Sequence, residues 1–178
     1  MTETVLFAIA LLVPLAATVL EHMGDVRISE RHHSHHDTYV VPVSFTRAIV
    51  LAMAFMGVLG LLLGWLCHEG VFAVSSLVVL AFFDAFLVTC LGLWLCIGRY
   101  RVSVFSDSMV VTPVVGRNVW VRYDEIERLE WTGLRMESGF RSLAVWVGGC
   151  RAATLLGIVD VEQIIMSMDR FDLLPQTN

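Results

Sequence analysis

Four histidines crowd into one short stretch, Arg31-His32-His33-Ser34-His35-His36-Asp37. Imidazole nitrogens bind zinc, copper and nickel well, and His-rich tracts are compositional candidates for metal binding. A transition-metal centre built on His32, His33, His35 and His36 needs converging ligands and a second layer of orienting hydrogen bonds. Glu30, Asp37 and His22 are further candidate ligands. The expected reading is a polar cytoplasmic loop with no cofactor, its histidines solvated or near lipid headgroups, with metal binding as the alternative.

Asp84 is the second residue with chemistry to offer. It is the one charged side chain in the apolar run from Val71 to Ile97. A charged Asp at the centre of a membrane helix costs about 2.5–3.5 kcal/mol on the insertion scale, so its carboxyl needs a partner or a proton. A proton or ion relay is one reading. Transporters generally bring several polar groups to the midplane and show internal repeats. Here Thr89 and a few serines are the only company, and no repeat is visible, so a structural or partner-docking role is expected.

Other chemistry is sparse. The chain carries no P-loop, no HExxH and no G-x-S-x-G motif. All six histidines precede residue 69, so Cys150 has no histidine partner in the C-terminal part, which argues against a Cys-His hydrolase there. Asp124, Glu125, Glu127 and Glu130 read as a solvated acidic face rather than an acid/base pair. Cys67, Cys90, Cys96 and Cys150 form no CxxC pair and read as reduced thiols. The expectation is a non-enzymatic protein.

These residues must be positioned by elements of two kinds. Of the 178 residues, 57% are hydrophobic and 16% charged, against about 25% charged in soluble domains. The mean hydropathy is +0.73. The apolar excess lies before Gly98, and charge returns after it. A net charge of −5 argues against nucleic-acid binding. All twelve basic residues are Arg, read as a GC-rich codon bias.

Three uncharged or nearly uncharged runs predict three transmembrane helices. The first (1–20) holds the run Thr4 to Leu20, about 26 Å as a helix, with Pro14 a candidate kink. The start Met1-Thr-Glu-Thr is acidic, unlike a signal peptide, so a retained helix is expected. Residues 21–47 read as a His-rich loop. Residues 48–98 read as a tight helical hairpin, with only His68, Glu69 and Gly70 between its runs. Gly57, Gly60 and Gly64 share one face of the second helix, and the GxxxG pair permits close approach of a helix in lipid. Packing within the chain is expected over dimerisation.

Arg27, Arg31 and Arg47 lie between the first two helices, and Arg99 and Arg101 follow the third. The positive-inside rule puts both segments in the cytoplasm and the N-terminus outside. Trp65 and Trp94 sit near helix ends as expected interfacial anchors.

Residues 99–178 read as α+β. Strands are predicted over Tyr100–Phe105, Met109–Val114, Asn118–Tyr123, Leu143–Val147 and Cys150–Leu156, with an apolar stretch near Leu129 and Trp131. Turns fall at Ser106-Asp107-Ser108 and Gly116-Arg117-Asn118. Thr132 to Ser142 reads as a polar loop. Asp160 opens a helix with the apolar stripe Val161, Ile164, Ile165 and Met168. The sum is a bent antiparallel sheet or barrel capped by one helix.

The order of these marks resembles the bacterial pleckstrin-homology-like (PH-like) domain. They are the strand-turn-strand of Arg101 to Val114, the segment Gly116 to Ile126 with its Tyr123-Asp124-Glu125-Ile126 corner, the Ser142-Leu143-Ala144-Val145 strand and the terminal helix. The resemblance covers about residues 99–172. It implies a binding or assembly module, often placed just after a pair of membrane helices. Phosphoinositide binding does not carry over, because the first turn, Ser106-Asp107-Ser108, has no cation. Arg117, Arg135, Arg141 and Arg151 are dispersed in sequence. Solvated surface positions are expected for them, with convergence as the alternative. The implied protein is a multi-pass bacterial inner-membrane protein whose cytoplasmic domain meets a membrane-protein partner or a second copy, as an accessory subunit of a membrane complex. The alternatives are metal sensing through the His loop and a small transporter centred on Asp84.

Overall fold

Helices form wherever lipid-compatible residues run long enough for backbone groups to be satisfied within the segment. In the computed structural model the described residues are 2–28 (backbone alone for 24–28), 37–132, 141–168 and Leu173. Three long helices come from the apolar half: α1 (Thr2–Ile28), α2 (Val43–His68) and α3 (Ser76–Arg99). Each is long and apolar enough to cross a membrane, over Thr2–Met23, Val43–His68 and Ser76–Arg99.

Several boundaries differ from the sequence expectation: α1 runs on to Ile28 and α2 starts at Val43, so the predicted loop 21–47 is in part helix and strand. The first span has 22 residues rather than the uncharged run alone, because Glu3 and Glu21 lie inside the helix at its polar ends. The hairpin connection is longer than three residues: α3 starts at Ser76, and Val71, Phe72 and Val74 are exposed outside any helix. The carbonyl of Ser75 accepts from the N–H groups of Val78 and Val79 and fixes that start. Apolar composition alone does not mark where a helix begins.

α1 and α2 turn mostly small residues inward and large apolar ones outward, while α3 turns Leu80, Phe83 and Leu87 inward. Ala10, Ala17, Val50, Met53 and Leu87 are buried together. Leu11, Leu15, Leu51, Phe55, Val58 and Phe82 are more than half exposed. Close approach of small residues is how helices associate where lipid removes the hydrophobic driving force.

Charge and turn residues return after Gly98, and there the chain forms sheets. The second compact unit comprises residues 37–42 and the chain from Gly98 onward. Strands β1 (Asp37–Val40), β2 (Arg101–Val104), β3 (Ser108–Thr112) and β4 (Val119–Arg122) make an antiparallel sheet in sequence order. Strands β5 (Ile126–Thr132), β6 (Ser142–Val147) and β7 (Cys150–Leu155) make a second antiparallel sheet. One 3-10 turn, Tyr123–Glu125, joins the two.

β1 comes from the segment between the first two helices. Asp37 stands opposite Val104 and Val40 opposite Arg101. The chain therefore leaves β1, runs through α2 and α3, and returns in β2. Thr38, Tyr39, Val40 and Val41 ahead of Pro42 form a run of β-formers, and that is the signal which marks the strand.

The last helix, α4 (Val161–Met168), starts where the Asp160 carboxylate accepts from the backbone N–H of Gln163 at 3.0 Å, an N-cap of the usual kind. It packs against β2. Its stripe of Val161, Ile164, Ile165 and Met168 is buried with Val102, Met109, Val111, Leu129, Leu143, Val145 and Leu155. The β6–β7 turn places Gly148 and Gly149 at φ 58° and 72°, the left-handed pair that a two-residue hairpin demands.

Candidate functional site

The glycine face of α2 is closed by its own chain. A Cβ at Gly57 would lie 2.7 Å from the Pro14 ring and 2.9 Å from the Ala10 carbonyl oxygen. One at Gly60 would lie 2.8 Å from Phe83, and one at Gly64 2.6 Å from Leu80. Gly57 thus meets α1, while Gly60 and Gly64 meet α3. The α1 contact falls at its proline. Pro14 has no N–H, so the Ala10 carbonyl loses its usual helical donor.

Asp84 is 5% exposed. Neither carboxylate oxygen has a hydrogen-bond partner among the described residues. It shares the buried face of α3 with Leu80, Phe83 and Leu87.

Polar contacts tie α1 at both ends. Near its start, Ser76 Oγ donates to the Glu3 carboxylate, and His68 Nδ1 lies 3.8 Å from the same group. Near its other end, the Glu21 carboxylate accepts from Thr46 Oγ1 at 2.8 Å and from Trp94 Nε1 at 3.1 Å. Glu3 and Glu21 mark run boundaries in the sequence, but their role as clamps depends on which helices lie beside them. Trp94 is half-buried in this contact, whereas Trp65 is exposed.

In the sheet unit the acidic neighbours go to separate partners. Asp124 accepts two bonds from Arg122, at 3.1 and 2.9 Å. That pairing, first the hydrogen bond and then the charge, raises the Arg122 pKa. Glu127 accepts from the Gly149 N–H at 2.9 Å, and Glu130 lies 3.8 Å from Arg128. Cys150 is exposed, and the four cysteines are free thiols.

Two tyrosines bolt the fold. Tyr100 OH accepts from the Leu156 N–H at 2.9 Å, and burial raises its pKa. Tyr123 OH donates to the Phe105 carbonyl at 3.0 Å. Burial, then the nearby Asp107 carboxylate, pushes the Tyr123 hydroxyl up to about 12.

The outward side of β4 carries an aromatic pair. Trp120 is 67% exposed and stacks on Phe105, with ring centroids 6.2 Å apart and planes 3° from parallel. Strand alternation puts Trp120 and Arg122 outward while Val121 is buried.

His32, His33, His35 and His36 lie outside the described residues, as does Arg135. Among the described residues no group of three or more His, Cys, Asp or Glu could hold a metal. Against protein-family models, curated proteins and solved structures the chain gives no match.

Proposed function

We propose that this chain is a non-enzymatic, multi-pass protein of a bacterial cell membrane that presents a cytoplasmic PH-like domain to a protein partner, as an accessory subunit of a membrane complex. The N-terminus is outside, following the arginines that flank the spans. Support for the PH-like reading comes from the four-stranded and three-stranded antiparallel sheets followed by a C-terminal helix. The observation that carries the interaction role is the exposed Trp120, stacked on Phe105. A large rigid indole held in place on a sheet surface is the type of residue that anchors protein interfaces. The test is co-purification from mild detergent after cross-linking through a photoreactive residue at the exposed position 118, in chains with and without Trp120. A discrete adduct that Trp120→Ala removes from the native-membrane preparation supports the role. Recovery of the lone polypeptide sinks it.

Asp84 favours a second reading. A buried carboxylate with no hydrogen-bond partner among the described residues, in the middle of a span, is also what a proton relay requires. Flux in proteoliposomes that Asp84→Asn abolishes would support that reading, and no flux in either form would remove it.

A further inference from the structure

Arg117 and Arg151 come from distant parts of the sheet unit, and both line one cleft of about 500 Å³. The connection from β3 to β4 forms one wall, with Pro113, Val114 and Val115, and β7 forms the other, with Ala153 and Thr154. No acidic residue is among the described residues that line it, although the chain as a whole has a net charge of −5. Both arginines are exposed, and neither forms an ion pair among the described residues. Arg151 Nε donates to Thr154 Oγ1 at 2.8 Å. That bond orients the guanidinium and leaves its two terminal nitrogens available. Val115 stands 77% exposed, an aliphatic side chain beside two cations.

An occupant of this cleft must meet two demands at once. The guanidinium groups call for an anion, and their planar forks match a carboxylate. The valines call for an aliphatic group, since covering them removes apolar surface from water. A small hydrophilic anion answers only the first demand. An internal Asp or Glu of a peptide brings the polar backbone on both its sides against the valines, and burying unpaired N–H and C=O groups is costly. The last residue of a chain carries its carboxylate and its side chain on the same carbon, and nothing follows it. One terminal aliphatic residue therefore answers both demands.

We infer that this cleft takes the C-terminus of a partner protein that ends in an aliphatic residue. Arg117 and Arg151 hold the terminal carboxylate, and Val114 and Val115 cover the last side chain. The site rests on the reading that the sheet unit meets a protein partner, and it names the segment of that partner which docks. It makes no use of the exposed Trp120, so the two surfaces fail or stand separately.

Peptide retention by the immobilised full chain in detergent tests it. The probes are two pools of short random peptides, one with a free C-terminal carboxyl and one amidated, with acetate as competitor. The free-acid pool should be retained and enriched in Val, Leu and Ile at its last position. The amidated pool, which keeps its internal Asp and Glu, should not be retained, and millimolar acetate should displace nothing. Arg117→Gln and Arg151→Gln should each weaken retention about tenfold, the worth of one hydrogen bond to a charged group. Val115→Asn should erase the aliphatic preference. Arg141→Gln, a guanidinium outside the cleft, and Trp120→Ala should leave retention unchanged, which separates this site from the Trp120 surface. All five positions are at the surface or partly so, and an unchanged circular-dichroism spectrum verifies the fold. Equal retention of the two pools, retention of neither, displacement by acetate, or full retention by the double arginine variant overturns the site.

Discussion

The Nε1–H of Trp94 donates to the carboxylate of Glu21 across 3.1 Å, joining α3 to α1 through residues 73 positions apart. The same carboxylate accepts from Thr46 at the start of α2. One side chain therefore gathers three helices at one end of the bundle. Lipid gives helices little reason to associate through apolar contact, so a charge-assisted bond at the end of the spans has leverage that it lacks in water.

Glu21→Ala should therefore destabilise the helical unit by about 1–3 kcal/mol, the cost of stranding donors that had a charged acceptor. Trp94→Phe alone should cost less, and in the Glu21→Ala background almost nothing. Thermal unfolding in detergent, run as a double-mutant cycle, reads the coupling. Strict additivity would show that the bond contributes nothing.

The three glycines of α2 should not tolerate alanine equally. At Gly57 the new methyl group meets a proline ring and a backbone oxygen, neither of which can turn aside. At Gly64 it meets the end of Leu80, a flexible side chain. Overpacking typically costs about 1–3 kcal/mol, set against a helix-propensity gain of about 1 kcal/mol. Gly57→Ala should lower the melting temperature clearly, and Gly64→Ala should be near neutral. The reverse order would refute this packing.

Replacing Asp84 by valine, close in volume, should raise stability in detergent. The carboxylate is buried without a hydrogen-bond partner among the described residues, and removing such a group relieves a desolvation cost of about 1–3 kcal/mol. A fall in melting temperature would mean that the carboxyl is satisfied, by water or by a second chain.

Tyr123 gives the sheet unit a pH dependence of definite sign. Its hydroxyl is pushed up to about 12 in the fold, against about 10 in an unfolded chain. The unfolded state then loses its proton first as pH rises. The Tyr123 contribution is whole below pH 10 and declines up to about pH 12, by roughly 2–3 kcal/mol in all. Tyrosinate absorbance should show a late step that Tyr123→Phe removes, and the variant should lose less stability over that interval. An unchanged titration curve in the variant would contradict the assignment.

Much of the architecture is local and therefore legible in the sequence. Three long apolar runs specify three helices, because lipid admits no spanning segment with unsatisfied backbone groups. The turn at Ser106-Asp107-Ser108 and the Asp160 cap each act over a few residues, and α4 and most of the strands, though not β1, stand beside them. Periodicity fixes which face of α2 carries the glycines.

Partnership is not local. The pairing of Thr38 with Ser103 spans two helices, and no pattern in either segment names the other. Gly57 against Pro14 and Glu21 against Trp94 are likewise choices of neighbour. Hydropathy and turn chemistry are properties of a few consecutive residues, so the sequence decided the elements. Which side chains share a cleft or strand depends on how distant segments close on one another, and that was settled only when the chain packed.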